Sequence, residues 1–227
     1  MRVGSLDFKV IGWNASYSDS TTGTSCGAIT LHNKDVYLLD CGFGALSGMF
    51  REGVVPDRVK GILITHIHLD HVGGIPELQW YLMNRGVERV LDIVSPEKIP
   101  GLPFPVNYVE SLLDSVTVPL IHRVPAQGYI VEKNEECSGL AWITDTRPTE
   151  NIVEAVKGVE VLYHEATYGK SSDIKAKFWG HSTGRQAAEV AKRAGVGKLV
   201  LGHFSHAVDP REVLREAREV FPESYLP

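Results

Sequence analysis

Short runs of apolar residues, most of them three to six long and rich in Val, Ile and Leu, recur along the chain and end abruptly at polar or charged residues. Such runs predict buried strands. They cover residues 8–11, 28–31, 36–39, 62–64, 89–94, 116–121, 128–132, 140–144, 159–163 and 198–201. The interval 32–35, His-Asn-Lys-Asp, is a hairpin signal, with His32 a solvated turn residue. Helical spacing appears through Met49 and Phe50, over 76–84, over 152–157 before Gly158, and in two stronger cases near the end. One opens with Thr183 and Gln186 as a capping box, buries Ala187, Val190, Ala191 and Ala194, and stops at Gly195. The last has Asp209 as cap and Pro210 at its first position, with Val213, Leu214, Ala217, Val220 and Phe221 as its apolar face. Residues 12–25 form a long polar loop and residues 95–107, with four prolines, an irregular connection. Strands alternating with helices predict an α/β protein, and with no linker or repeat the whole chain, 1–227, reads as a single domain.

The polar residues that stop the strands are not random. His66, His122, Asp145, His164 and His203 each follow an apolar run, and strand ends of layered α/β proteins converge on one edge where loops build sites. Most concentrated is Thr65-His66-Ile67-His68-Leu69-Asp70-His71-Val72-Gly73-Gly74. His66 and His68 alternate along an extended segment and so reach one point, while Asp70 and His71 follow where the chain turns and serve a second. Four nitrogen and oxygen donors in six residues predict a metal site, with zinc the default and manganese an alternative.

Composition narrows this little. The 227 residues are 43% hydrophobic and carry a formal charge of −5, so overall charge gives no nucleic-acid footprint, although a local basic patch is compatible with it. The first ten residues lack the apolar core of a signal peptide and no stretch is long enough for a membrane span, which predicts a cytoplasmic protein without membrane contact. Cys26, Cys41 and Cys137 are odd in number and without a CxxC pair, which suits reduced, partly buried thiols. Trp13 and Tyr17 in the long loop suit either base stacking or surface anchoring.

The His66-x-His68-x-Asp70-His71 segment with Gly73-Gly74 resembles the signature of the metallo-β-lactamase superfamily. Further segments are similar to its ribonuclease Z branch: Val118 to His122 followed by Gly128-Tyr129, Thr144-Asp145-Thr146-Arg147-Pro148, His164-Glu165-Ala166-Thr167, His181-Ser182-Thr183, and Leu201-Gly202-His203-Phe204-Ser205. The resemblance spans nearly the whole chain and implies a four-layer αββα sandwich, a homodimer and two zinc ions. It implies His66, His68 and His122 on one zinc, Asp70, His71 and His203 on the other, and Asp145 bridging. It also implies Asp70, His181 and Glu165 as catalytic groups, with His181, oriented by Glu165, protonating the departing oxygen. His164 would be outer support. Ser182, Thr183 and His206 are the candidate substrate contacts, the first two doubling as a helix cap.

The chain departs from ribonuclease Z in three places. Only residues 123–144 separate the third ligand motif from the bridging aspartate, too few for that family's tRNA-gripping arm. Its Pro-Thr and Arg-Asn signature is replaced by the Ser/Thr-rich loop, and its terminal Arg-Tyr by Ala207-Val208. The expectation is therefore a phosphodiesterase for small or cyclic nucleotides, similar in plan to arm-less enzymes of the anti-Pycsar type. A tRNA 3′-end endonuclease is the nearest alternative and RNA the alternative partner. A lactonase or thioesterase, or a non-catalytic binding module, would share the first motif. A glutamate where His68 stands would have suited iron redox chemistry, so that class is set aside.

Overall fold

A computed structural model describes residues 1–4, 6–131 and 139–227. Cys137 and the last residue of the strand expected over 128–132 lie outside the described residues. Two compact units make up the chain, Met1–Leu112 and Leu113–Pro227.

In the first unit the described strands are β1 (Arg2–Val3), β2 (Leu6–Asn14), β3 (Gly23–Thr24), β4 (Cys26–Thr30), β5 (Val36–Leu39), β6 (Val59–Leu63), β7 (Leu91–Val94) and β8 (Val106–Tyr108). Their order is β1-β2-β4-β5-β6-β7-β8, with β3 pairing β2. The sheet is antiparallel through β2, β4 and β5, then parallel from β5 to β8. Helix α1 (Ala45–Arg51), the single turn α2 (Leu69–Val72) and α3 (Ile75–Asn84) follow its strand ends. Ile11, Ala28, Leu38, Ile62 and Ile93 join Met49, Ile75 and Leu78 in one buried cluster. The apolar runs are therefore strands because both of their faces are covered.

In the second unit β9 (Val116–Pro119), β10 (Gln127–Val131) and β11 (Leu140–Ile143) are antiparallel neighbours. Strands β12 (Val161–Glu165), β13 (Lys198–Gly202) and β14 (Ser224–Tyr225) continue in parallel. Helices α4 (Glu150–Ala155), α5 (Asp173–Trp179), α6 (Gly184–Ala194) and α7 (Pro210–Arg218) complete it. Trp142 and Tyr163 stack face to face across β11 and β12, centroids 3.7 Å apart, and both are fully buried. Gly202 makes this arrangement fit: a Cβ there would stand 2.0 Å from the Tyr163 hydroxyl.

The mixed α/β plan with two sheets is the expected one. Both expected caps are present: the Thr183–Gln186 box is reciprocal, and Asp209 accepts from the Arg211 amide. Four expectations are corrected. The first strand runs on to Asn14, so the polar loop begins later. Residues 106–108 at the end of the proline-rich connection form strand β8. Strand β12 extends through His164 and Glu165, which are therefore in the sheet and not beyond it. Helix α5 was not foreseen. Among the described residues no helix is long and apolar enough to cross a membrane.

Candidate metal centre

The first unit assembles its polar residues where β6 ends. Beyond Leu63 the chain bends at Thr65 and is extended again at His68, and His66 Nε2 lies 2.9 Å from His68 Nδ1. Asp70 and His71 follow on the one-turn helix α2, where a plain turn was expected, with His71 Nε2 3.8 Å from Asp70 Oδ2. The histidines are oriented from behind. Asp40, fully buried at the end of β5, accepts from His71 Nδ1 at 2.9 Å, the Thr65 amide at 2.8 Å, the Thr65 hydroxyl at 2.9 Å and the Ser25 hydroxyl at 3.0 Å. Because the Thr65 proton goes to Asp40, its oxygen accepts from His66 Nδ1 at 3.2 Å. Each neutral ring so held keeps its proton on Nδ1 and its lone pair on Nε2, the state in which imidazole binds a metal.

The glycine pair allows a close approach behind this loop. Gly74 donates its amide to the Cys41 carbonyl at 2.9 Å, and a Cβ at Gly74 would lie 2.2 Å from the Gly42 carbonyl oxygen. From the front, the Ser16 amide donates to Asp70 Oδ2 at 2.9 Å. That loop is ordered by Asp19, which accepts from Asn14, Thr21 and Thr22 and is held far below the usual carboxylate range, the Thr21 hydroxyl bond acting most strongly. Burial pushes the Cys26 and Cys41 thiols well up, which disfavours the thiolate form of both.

In the second unit the chain leaves β11 and β13 through residues in left-handed backbone conformation, Asp145 (φ 37°) and His203 (φ 55°). His122 comes from the turn between β9 and β10. Asp145 Oδ1 lies 3.2 Å from His203 Nε2, and Asp145 Oδ2 lies 3.6 Å from His122 Nε2. The outer nitrogens decide what these short distances mean. His122 Nδ1 donates to the Gly180 carbonyl at 3.1 Å. His203 Nδ1 meets the Thr167 hydroxyl at 3.0 Å, and that hydroxyl donates to Glu165 Oε2 at 2.6 Å, so it can only accept from His203. With Nδ1 of each ring engaged elsewhere, both Nε2 atoms face one buried carboxylate, and this set of nitrogen and oxygen donors fits a divalent metal such as zinc.

One donor atom each from Asp145, His181 and His203 falls within 4.8 Å of the others. The His181 atom near Asp145 is Nδ1, which donates to Glu165 Oε1 at 3.1 Å, so this ring serves the carboxylate and not the cation. Glu165 is fully buried and also accepts from the Thr146 and Thr167 amides at 2.9 and 3.0 Å. Burial alone would raise its pKa, but the His181 charge and hydrogen bond outweigh it and hold the carboxyl below its ordinary value.

The remaining expected residues are placed as follows. Ser182 and Thr183 are fully buried, the first donating to the Thr146 carbonyl at 2.7 Å and the second capping α6. His206 is exposed. His164 is buried, its Nδ1 bound to the Glu165 carbonyl at 2.8 Å, and burial depresses its pKa. Asp40, Thr65 and Thr167 were not singled out from sequence. Asp40 lies outside the motifs and the two threonines within them, and the bond each makes to a histidine gives it a part.

Residues 36–204 match the family model described as "Beta-lactamase superfamily domain". The chain is 30% identical to a Ribonuclease Z of Metallosphaera sedula, covering 84% of this chain and 86% of the relative. A Ribonuclease Z of Parabacteroides distasonis is 28% identical, with 97% of this chain and 96% of the relative covered. That alignment runs over 295 positions, more than the 227 residues of the whole chain, so the relative carries inserted residues that have no counterpart here. Among solved structures, the metallo-beta-lactamase fold protein YhfI from Bacillus subtilis superposes with a TM-score of 0.84 at 21% identity, covering 97% of this chain and 95% of that one.

Proposed function

The chain belongs to the beta-lactamase superfamily, among its Ribonuclease Z relatives, and is a metal-dependent hydrolase of phosphodiester bonds; from that premise we propose that it cleaves small or cyclic nucleotides at a dinuclear zinc centre. In this reading the two units act as one domain. His66, His68 and His122 hold one ion, Asp70, His71 and His203 the other, and Asp145 is shared. Manganese is compatible with the same donors. When bound, zinc supplies Lewis acidity and makes water nucleophilic near neutral pH.

The chain's own residues do the rest. Asp70, held in place by the Ser16 amide, takes the attacking water's proton. Attack at phosphorus breaks the bond to the departing oxygen, which needs a proton, and the imidazole of His181 gives it. Glu165, buried and ionised, keeps that ring charged and turned. His206, exposed beyond His203, is the proposed substrate contact. The observation that carries this reading is the Glu165–His181 pair, 3.1 Å apart and beside Asp145 and His203. A thioesterase, whose thiolate leaves without a proton, has no such need for a separate leaving-group acid. The preference for a small substrate rests on the short interval between His122 and Asp145, and on the inserted residues that the longer relative has and this chain lacks.

The relatives named Ribonuclease Z favour a second reading, an endonuclease that trims tRNA 3′ ends. The zinc-loaded protein incubated with cyclic mononucleotides, dinucleotides, bis(p-nitrophenyl) phosphate and precursor tRNA separates the two. Turnover of the small diesters is the expected result, and cleavage of precursor tRNA alone would overturn the preference. A homodimer in the cytoplasm completes the proposal, and light scattering at twice the chain mass checks the first part.

A further inference from the structure

A cleft of about 500 Å³ opens beside His181, within the roughly 300–1,000 Å³ range of small-molecule sites. Arg147 and Lys177 both line it, and neither is in an ion pair among the described residues. Asp173 lines it too, so these three side chains leave it one positive charge. Ile121 and Ile174 give it an apolar wall, although Ile174 is 89% exposed. Cations and exposed aliphatic surface in one cleft suit a ligand that is part anion and part apolar ring.

The cleft is tied to the reacting groups by the backbone. Arg147 stands two residues from Asp145, its amide donating to the Ile121 carbonyl at 3.3 Å and its carbonyl accepting from the Thr146 hydroxyl at 2.9 Å. Helix α5 places Ile174 and Lys177 one turn apart on one side and ends at Gly180 (φ 79°), after which His181 donates its amide to the Ala176 carbonyl at 2.9 Å. Whatever receives a proton from His181 therefore lies at the mouth of this cleft.

We propose that the cleft is the subsite for the departing half of the substrate, and that Arg147 and Lys177 bind a second phosphate on that half. The inference rests on the phosphodiesterase reading above and narrows it: among small nucleotides, those with two phosphates, linear or cyclic dinucleotides, are preferred to cyclic mononucleotides. Water adds to phosphorus, the bond to the departing sugar oxygen breaks, and that oxygen takes the His181 proton. The second phosphate is untouched and acts through binding, because guanidinium and ammonium groups make short charge-assisted bonds to phosphate oxygens.

The test compares TpT, pTpT and TpTp as substrates of the zinc-loaded protein. The products of TpT, thymidine with either 5′- or 3′-phosphorylated thymidine, tell which oxygen departs and so which of the other two carries its extra phosphate on the departing half. That substrate is expected to exceed TpT in kcat/KM by about tenfold, mostly through KM, on the strength of such bonds. An extra phosphate on the other half should change little. Arg147→Gln and Lys177→Gln should each lower the ratio, and the double variant should return it to about one. A ratio is read, so a general loss of activity does not imitate the effect. Cleavage of all three with a ratio near one, or a ratio that the variants do not move, overturns this inference alone. No cleavage of any of the three overturns the small-nucleotide reading with it.

Discussion

An imidazole is a useful proton donor only when something keeps it charged and pointed, and at His181 that something is Glu165. With its four hydrogen-bond donors, the buried carboxylate has no freedom to turn away. Replacing it by an amide keeps the shape and removes the charge, so Glu165→Gln is expected to lower kcat toward bis(p-nitrophenyl) phosphate by about 10²-fold or more, with bound metal unchanged by elemental analysis. Asp40 works one bond further out, through His71. Its conversion in Asp40→Asn should leave folding intact and weaken metal retention by about 10–100-fold in a chelator competition. Unaltered retention would remove Asp40 from the centre. The cluster His66, His68, Asp70 and His71 stands out because four such donors in six residues suit a metal, whereas His122, Asp145 and His203 enter as ligands only through the motifs that resemble ribonuclease Z. Asp40 and Thr167 were not legible, because a lone Asp or Thr near a strand end has many ordinary explanations and only the folded contact chooses among them.

At the scale of elements, three strand ends share one device. Asp40 (φ 58°), Asp145 (φ 37°) and His203 (φ 55°) all leave their strands in left-handed backbone conformation, which Asp and His tolerate better than most side chains. The apolar runs announced these strands, since a Val/Ile-rich run covered on both faces has few alternatives. Helix α5 stayed hidden for the opposite reason. Its apolar residues Ile174, Phe178 and Trp179 are exposed and only Ala176 is buried, so no buried stripe marks it. Strand β8 is a short edge among prolines and carries no apolar run. The end of β13 offers a test. A methyl group at Gly202 would collide with the Tyr163 hydroxyl, which is stacked in place on Trp142 and has no room to retreat. Gly202→Ala is expected to cost about 1–3 kcal/mol of stability, seen as a lower Tm in calorimetry, and to reduce activity through the adjoining His203. An unchanged Tm would show that the stack yields.

At the scale of the molecule, two properties follow from groups already placed. The first is acid sensitivity. Burial keeps His164 neutral, so below its ordinary value near 6.5 the unfolded chain binds a proton that the folded chain refuses, and stability falls as pH falls. Glu165 has the same sign lower down: its contribution is full above the unfolded value of about 4.5 and is lost as pH drops through its depressed folded value. The Tm of metal-free protein should therefore begin to fall near pH 6.5, and His164→Asn should flatten the upper part of that fall. A wild-type curve level down to pH 5 would contradict it. The second property is the grip on polyanions. Binding tRNA through many phosphates releases many counterions and gives a steep salt dependence, about 0.9 logarithmic units per phosphate neutralised on a duplex. This chain has a net charge of −5 and lacks the residues inserted in its longer relative, while its cleft beside His181 offers Arg147 and Lys177. The KM for a two-phosphate substrate should accordingly rise only shallowly with salt, with a logarithmic slope of about two at most if each cation meets one phosphate charge. A slope of six or more with precursor tRNA, at useful affinity, would mean that a partner or second copy supplies the missing surface, and the substrate would then be a macromolecule after all.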